Sequence, residues 1–180
     1  MNFKNSILVI AGEPNSVFLE IFFKTIKKTN IKKPLILIAS HKLIKLQMIK
    51  LKFKKKIKLI NNKNYFNLNL DNKCINLLNV DYNPKKAFES ISNKSNKYIQ
   101  NCFDLAFQII KEYKIKLVIT GPISKKTFLN KKYLGLTEYI SKKFNVKNSA
   151  MLIYNKKLSV CPLTTHLPLK MISKNINKNS

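Results

Sequence analysis

The sequence predicts an α/β fold built on a doubly wound sheet, and three observations predict it. Continuous apolar runs of four to six residues recur along the chain, as expected of strands buried on both faces. Segments with apolar residues three and four apart lie between several of them. The three glycines of the 180 residues all fall in short loops, two of them directly after such a run. Alternation of strand and helix is the signature of a parallel layered sheet.

The first run is Ser6-Ile7-Leu8-Val9-Ile10, followed by the Gly12 loop. A helix is expected over Val17–Lys28, with Phe18, Ile21, Phe22 and Ile26 on one face. Leu35–Ala39 is the second run. Ser40 can cap a helix carrying Leu43, Ile44, Met48 and Leu51. The lysine-rich stretch from Lys52 to Asp71 reads as a short strand with solvated lysines. A basic amphipathic patch for a membrane or nucleic acid is the sharper alternative. Asn61 to Asn72 is asparagine-rich and reads as irregular or edge structure.

Ile75–Val80 is the next strand, closed by a turn at Asp81-Tyr82-Asn83-Pro84. Tyr98, Cys102, Leu105, Ala106, Ile109, Ile110 and Tyr113 define a helix ending near Lys114. Leu117–Thr120 is then a buried strand that delivers the Gly121 loop. A further helix is expected over Thr137–Phe144. Two short strands, Met151–Tyr154 and Leu158–Cys161, are joined by a turn at Asn155-Lys156. The C-terminal Lys174–Ser180 is polar.

Composition narrows the function classes. The net charge is +27, yet all 35 basic residues are lysine. Arginine is the residue suited to bidentate reading of guanine and phosphate. Its absence, with lysine, asparagine and isoleucine dominating throughout, favours compositional drift over a dedicated nucleic-acid binder. Non-specific adhesion to polyanions at low salt is still expected. Cys74, Cys102 and Cys161 are widely spaced and odd in number, which fits buried thiols in a reducing cytoplasm. No run is long enough to span a membrane.

Ligands of α/β sheets bind outside the carboxyl ends of strands. Loops after Ile10, Ile119 and Cys161 fall there and could meet in one cleft. Three separated glycines cannot form a dinucleotide or Walker fingerprint. Thr137 and Glu138 at a helix start read either as a cap with a dipole-matched carboxylate or as an anion site. Lys125 could attract phosphate or be one more solvated lysine. His41 has no partner at metal-ligand spacing and reads as a surface or capping residue. His166, after a strand and two threonines, reads as structural or as one ligand of a metal; alone it cannot complete a site.

Four segments occur in order: Gly12-Glu13-Pro14 with Glu20, Gly121-Pro122-Ile123-Ser124-Lys125, Gly135-Leu136-Thr137-Glu138-Tyr139, and Thr164-Thr165-His166-Leu167-Pro168-Leu169. Together they resemble the 4-hydroxythreonine-4-phosphate dehydrogenase family of vitamin B6 biosynthesis. That family usually shows Gly-Asp-Pro-Ala-Gly-Ile-Gly-Pro-Glu, Gly-Pro-Ile-Asn-Lys, Gly-His-Thr-Glu and Thr-Thr-His-Leu-Pro-Leu. The resemblance runs from Ile7 to about Asn177 and covers about the first half of the family's length.

The resemblance implies a two-lobed, isocitrate/isopropylmalate dehydrogenase-like α/β/α architecture, here incomplete, with the lobe change near residues 120–135. It implies a cytoplasmic homodimer that uses NAD and a divalent metal (Zn, Mg or Co). The reaction implied is oxidation of the substrate's secondary alcohol, followed by loss of carbon dioxide from the β-keto acid. By position, His166 matches a metal ligand and Thr137 a substrate-binding threonine. The family's neighbouring substrate histidine falls on Leu136, which can neither titrate nor hydrogen-bond. Asn15-Ser16-Val17-Phe18-Leu19 replaces the usual glycine-rich stretch. No catalytic or NAD-binding residue is assigned.

The other metal histidines and most of the NAD site would lie outside these residues, so this chain alone is expected to be inactive. Fragment, split enzyme and decayed relative are the competing explanations. Two other functions stay open: a related dehydrogenase for another hydroxy acid, and a non-catalytic basic binding protein.

Overall fold

The computed structural model describes residues 3–60, 70–129, 132–147, 149–164 and 167–176. Five parallel strands form one sheet in the order β3-β4-β2-β1-β5. They are β1 (Ile7–Ile10), β2 (Leu35–Ala39), β3 (Ile57–Leu59), β4 (Ile75–Asn79) and β5 (Leu117–Thr120). Five α-helices accompany them: α1 (Phe18–Lys28), α2 (His41–Lys50), α3 (Asn96–Tyr113), α4 (Leu136–Phe144) and α5 (Leu169–Asn175). The parallel α/β sheet is the one the apolar runs predict. By internal packing the chain divides into two compact units, Met1–Phe128 and Leu129–Ser180.

The sheet core follows from strand alternation. Val9, Leu37 and Leu77 share one cluster with Leu19, Phe22 and Phe23 of α1 and Leu43 and Ile44 of α2. Successive strand residues point to opposite faces, so Leu8, Ile36 and Leu78 face the other way. On α3, which packs against β1 and β2, Ile99, Cys102, Phe103 and Ala106 are fully buried. Each fully buried aliphatic side chain contributes about 1.5–3 kcal/mol relative to exposure.

Ser40 caps α2 as expected, its hydroxyl accepting from Leu43 N–H at 3.4 Å. The hydroxyl in turn donates to the Tyr82 carbonyl at 3.1 Å, and Ser40 N–H donates to the Tyr98 hydroxyl at 3.1 Å. Tyr82 packs on Tyr98 with ring centroids 4.7 Å apart. Residues 81–84 are therefore a segment held to α2 and α3, with no turn in the backbone assignment.

Several expectations are corrected. β5 is not buried: Leu117, Val118 and Ile119 are 43%, 38% and 47% exposed. Among the described residues it pairs only with β1, so it stands at the sheet's edge. Ile21 of α1 is 54% exposed, because the buried stripe runs through Leu19, Phe22 and Phe23. Of the cysteines, Cys102 is buried, Cys74 intermediate and Cys161 exposed. The two strands expected at 151–161 reduce to a single antiparallel bridge, Ile153 to Val160. Leu152, Tyr154 and Leu158 beside it are exposed, so this ribbon has no packed face to extend its pairing.

The lysine-rich stretch does contain a strand, β3, although it is only three residues long. Most of the asparagine-rich stretch (61–69) lies outside the described residues. Its end is ordered: Asn72 Oδ1 accepts from Leu35 N–H at 2.9 Å, and Asn72 Nδ2 donates to the Ile31 and Lys33 carbonyls at 2.8 Å each. That asparagine fixes the entry to β2.

Candidate functional site

β1 lies between β2 and β5, and the chain leaves it in one direction along the sheet and reaches β5 in the other. This is the topological switch point, where α/β sheets place ligands at the strand carboxyl ends. The Gly12 and Gly121 loops both sit there, and they close on each other. Gly121 N–H donates to the Ile10 carbonyl at 2.7 Å, and Glu13 N–H to the Pro122 carbonyl at 2.9 Å. Gly12 has φ +70°, and a Cβ there would stand 2.5 Å from the Pro122 carbonyl oxygen. A Cβ on Gly121 would overlap the Ala11 carbonyl. Both glycines therefore serve a backbone-to-backbone approach between two loops.

Glu13 is the buried charge of this region, 3% exposed. Its carboxylate accepts from Ser95 Oγ at 3.2 and 3.1 Å and from Asn15 N–H at 3.3 Å. The Ser95 hydroxyl also lies 3.0 Å from the Ser92 carbonyl and has one proton to give. Burial pushes the Glu13 carboxyl above its ordinary value, against the Asn15 and Ser95 hydrogen bonds.

The loop is braced from two other sides. Gln47 of α2 is fully buried and donates to the Pro14 and Ala87 carbonyls at 3.0 and 2.9 Å. Asn15 Oδ1 accepts from Glu89 N–H at 3.0 Å. Pattern reading missed Gln47 and Ser95, and it marked Asn15 only as part of the stretch that replaces the usual glycines. Glu13 stands in a quoted segment, but Ser95, its partner 82 positions away, carries no local signal.

Lys125 is exposed and opens a π-helical turn, Lys125–Leu129, that the sequence did not predict. Thr127 N–H donates to Ser124 Oγ at 3.2 Å, and Asn96 Nδ2 to the Thr127 carbonyl at 2.9 Å. Asn96 Oδ1 and Thr127 Oγ1 are buried without a protein partner.

In the second unit, α4 starts one residue earlier than expected. Gly135 is its N-cap, in extended conformation, and makes no side-chain cap. Leu136 and Thr137 are thus the first two helical residues, and Thr137 is not the cap. Helical N–H groups of a first turn have no intrahelical acceptor, so this end offers donors and a positive dipole end to an anion. Leu136, Thr137 and Glu138 are half-buried. The Glu138 carboxylate folds back to within 2.9 Å of where a Gly135 Cβ would stand.

Tyr139 is buried and meets Tyr133 edge-on at 5.2 Å, with Lys142 5.6 Å above the Tyr133 ring. His166, the expected metal ligand, lies outside the described residues. Among the described residues no group of three His, Cys, Asp or Glu could hold a metal. His41 is the first residue of α2, half-buried, and its N–H donates to Asn79 Oδ1 at 2.8 Å. Burial and the nearby Lys45 ammonium hold its imidazole below the ordinary value.

No helix of the described residues is long and apolar enough to cross a membrane. The chain is 33% identical over 106 residues to a 4-hydroxythreonine-4-phosphate dehydrogenase of Sulfurihydrogenibium sp. (strain YO3AOP1), covering 58% of this chain and 32% of that one. It is 42% identical over 65 residues to the enzyme of that name from Aquifex aeolicus (strain VF5), covering 34% and 20%. The fold superposes on the crystal structure of 4-hydroxythreonine-4-phosphate dehydrogenase from Klebsiella pneumoniae with TM-score 0.80 at 18% identity, covering 97% of this chain and 55% of that one. The chain thus spans about half the length of that structure and less of the curated relatives. The family model of the pyridoxal phosphate biosynthetic protein PdxA matches residues 30–180. With motif order, fold and relatives in agreement, the chain belongs to the PdxA family.

Proposed function

We propose that this chain forms the N-terminal part of a dehydrogenase for 4-hydroxythreonine 4-phosphate in vitamin B6 biosynthesis. The observation that carries the reading is the family match over residues 30–180. In this reading NAD accepts a hydride, a divalent metal polarises the reacting oxygen, and the β-keto acid then loses carbon dioxide. His166 supplies one metal ligand, and the others come from residues outside this chain. The complete enzyme works as a homodimer, with the lobe change near residues 120–135.

Thr137 binds the anionic substrate through its hydroxyl and the open first turn of α4. Lys125, in the first unit, is a separate and weaker candidate for attracting phosphate. Leu136, half-buried beside Thr137, leaves out a hydrogen bond that a histidine would give. That substitution favours one second reading, a related dehydrogenase for another hydroxy acid.

NADH formation tests both. The complete protein, with metal and 4-hydroxythreonine 4-phosphate, should turn over, and the 180-residue chain alone should not. Turnover by the isolated chain would overturn the incomplete-site argument. A complete protein that ignores this substrate but oxidises another hydroxy acid would establish the second reading. In the complete protein, His166→Ala should weaken metal binding, and unchanged affinity would remove His166 from the ligand set.

A further inference from the structure

The lysine run after α2 takes part in a feature that the dehydrogenase reading does not use. On the outer face of α2, His41, Lys45, Met48 and Ile49 follow at helical spacing, over about 12 Å of helix, and Lys52 lies just past its end with φ 51°. The segment 53–57 lies alongside, and together they line an open groove of about 1090 Å³. That is the size of a small-molecule site. Its floor is apolar, made by Met48, Ile49, Phe53 and Ile57, and its rim carries Lys54, Lys55 and Lys56 beside Lys45 and Lys52. No carboxylate lines it among the described residues.

The floor is built in advance. Phe53 N–H donates to the Met48 carbonyl at 2.9 Å and Lys52 N–H to the Ile49 carbonyl at 3.1 Å. These two bonds form the Schellman closure of α2, which brings the side chains of Met48 and Phe53 together. Phe53 also stacks on Phe23 with centroids 4.8 Å apart and planes at 11°, so no ordering cost falls on a ligand there. Ile49, by contrast, is 77% exposed.

A polyanion would satisfy the lysines and leave the apolar floor in water. A neutral apolar molecule would do the reverse. A flat bilayer cannot follow a concave floor. We propose that this groove binds a free anionic amphiphile: one carboxylate or phosphate head on an acyl or aromatic body, the body on Met48, Ile49, Phe53 and Ile57 and the head among the rim lysines.

Calorimetric titration of the 180-residue chain with monomeric dodecyl phosphate should show one saturable site. Ile49→Asp alters an exposed position, so the thermal midpoint should hold while affinity falls about tenfold or more. The double variant Lys54→Glu/Lys56→Glu should weaken binding similarly. Dodecyl maltoside, a neutral molecule with the same tail, should bind far more weakly. Three outcomes would overturn the proposal: no saturable binding of dodecyl phosphate; a thymidine oligonucleotide binding as tightly with Ile49→Asp neutral, which reduces the groove to lysine electrostatics; or binding to phosphatidylglycerol vesicles without binding to the free amphiphile.

Discussion

β2 and β5 are two apolar runs of nearly the same composition, and they have opposite fates. Every residue of β2 is buried at 7% exposure or less, whereas Leu117, Val118 and Ile119 of β5 are all above a third exposed. β2 has β1 on one side and β4 on the other. β5 has β1 alone among the described residues. An apolar run therefore announces a strand, and its place in the strand order decides whether the run is covered. The direct way to break this comparison is to delete the same methylenes from both. Ile36→Ala should cost about 2–5 kcal/mol, while Ile119→Ala should cost less than half as much. Urea unfolding measures both, and equal losses would mean that β5 is covered in solution.

The glycines repeat the contrast at smaller scale. Gly12 and Gly121 face backbone carbonyls that cannot move without parting two loops, while Gly135 faces the free end of the Glu138 side chain. Gly121→Ala should cost about 1–3 kcal/mol, as an overpacked site does. Gly12→Ala should cost at least as much, because its positive φ adds strain. Gly135→Ala should stay within about 0.5 kcal/mol, since Glu138 can swing away. If all three cost the same, the loop-to-loop approach is not what these glycines serve.

The comparison also marks where sequence reading stops. The strands, the span of α3 and the Ser40 cap were legible because their signals are local: apolar runs, spacing of three and four, a capping residue. The exposure of β5 was not, because strand order is set by contacts between distant segments. At the candidate site, the Gly12 and Gly121 loops were legible as loops at strand ends. That they clasp each other was not, and neither was the buried pairing of Glu13 with Ser95. The ribbon at 151–161 had strand-like residues without the packed face that turns such residues into strands. α5 was missed because Leu169–Asn175 is short and begins at a proline rather than a capping side chain.

Glu13 sharpens the contrast in electrostatic terms, because it is a buried carboxylate in the well-packed unit. Burial raises its carboxyl above the ordinary value in the folded chain, so the unfolded chain releases this proton first as pH rises. Across the window from the ordinary carboxylate value up to the raised one, the folded state holds more protons than the unfolded, and Glu13's contribution to stability falls. Glu13→Gln removes the titration and keeps an oxygen to accept from Ser95 and Asn15. The stability of the variant relative to the native chain should therefore rise with pH through that window, read from urea midpoints at several pH values. A difference that stays flat with pH would show that Glu13 titrates in its ordinary range. Glu13→Ala should destabilise by leaving Asn15 N–H without its acceptor, while the Ser95 hydroxyl can still donate to the Ser92 carbonyl.

A small effect of opposite sign concerns where glycine is missing. Lys114, at the end of α3, has φ 52° and ψ 44°, the left-handed conformation that usually closes a helix with glycine. Asn145 closes α4 the same way, with φ 54° and ψ 39°. A side chain in this conformation costs roughly 1–2 kcal/mol, less for asparagine, whose short polar group suits it. Glycine removes that strain but loses more chain entropy on folding. The balance predicts that Lys114→Gly gains about 0.5–1 kcal/mol, a rise of about 2–4 °C in melting temperature for each kcal/mol. Asn145→Gly should gain less. Lys114 is exposed, so no packing is lost with its side chain, and the change isolates the backbone term. A Lys114→Gly gain no larger than that of Asn145→Gly would place the cost somewhere other than the left-handed backbone.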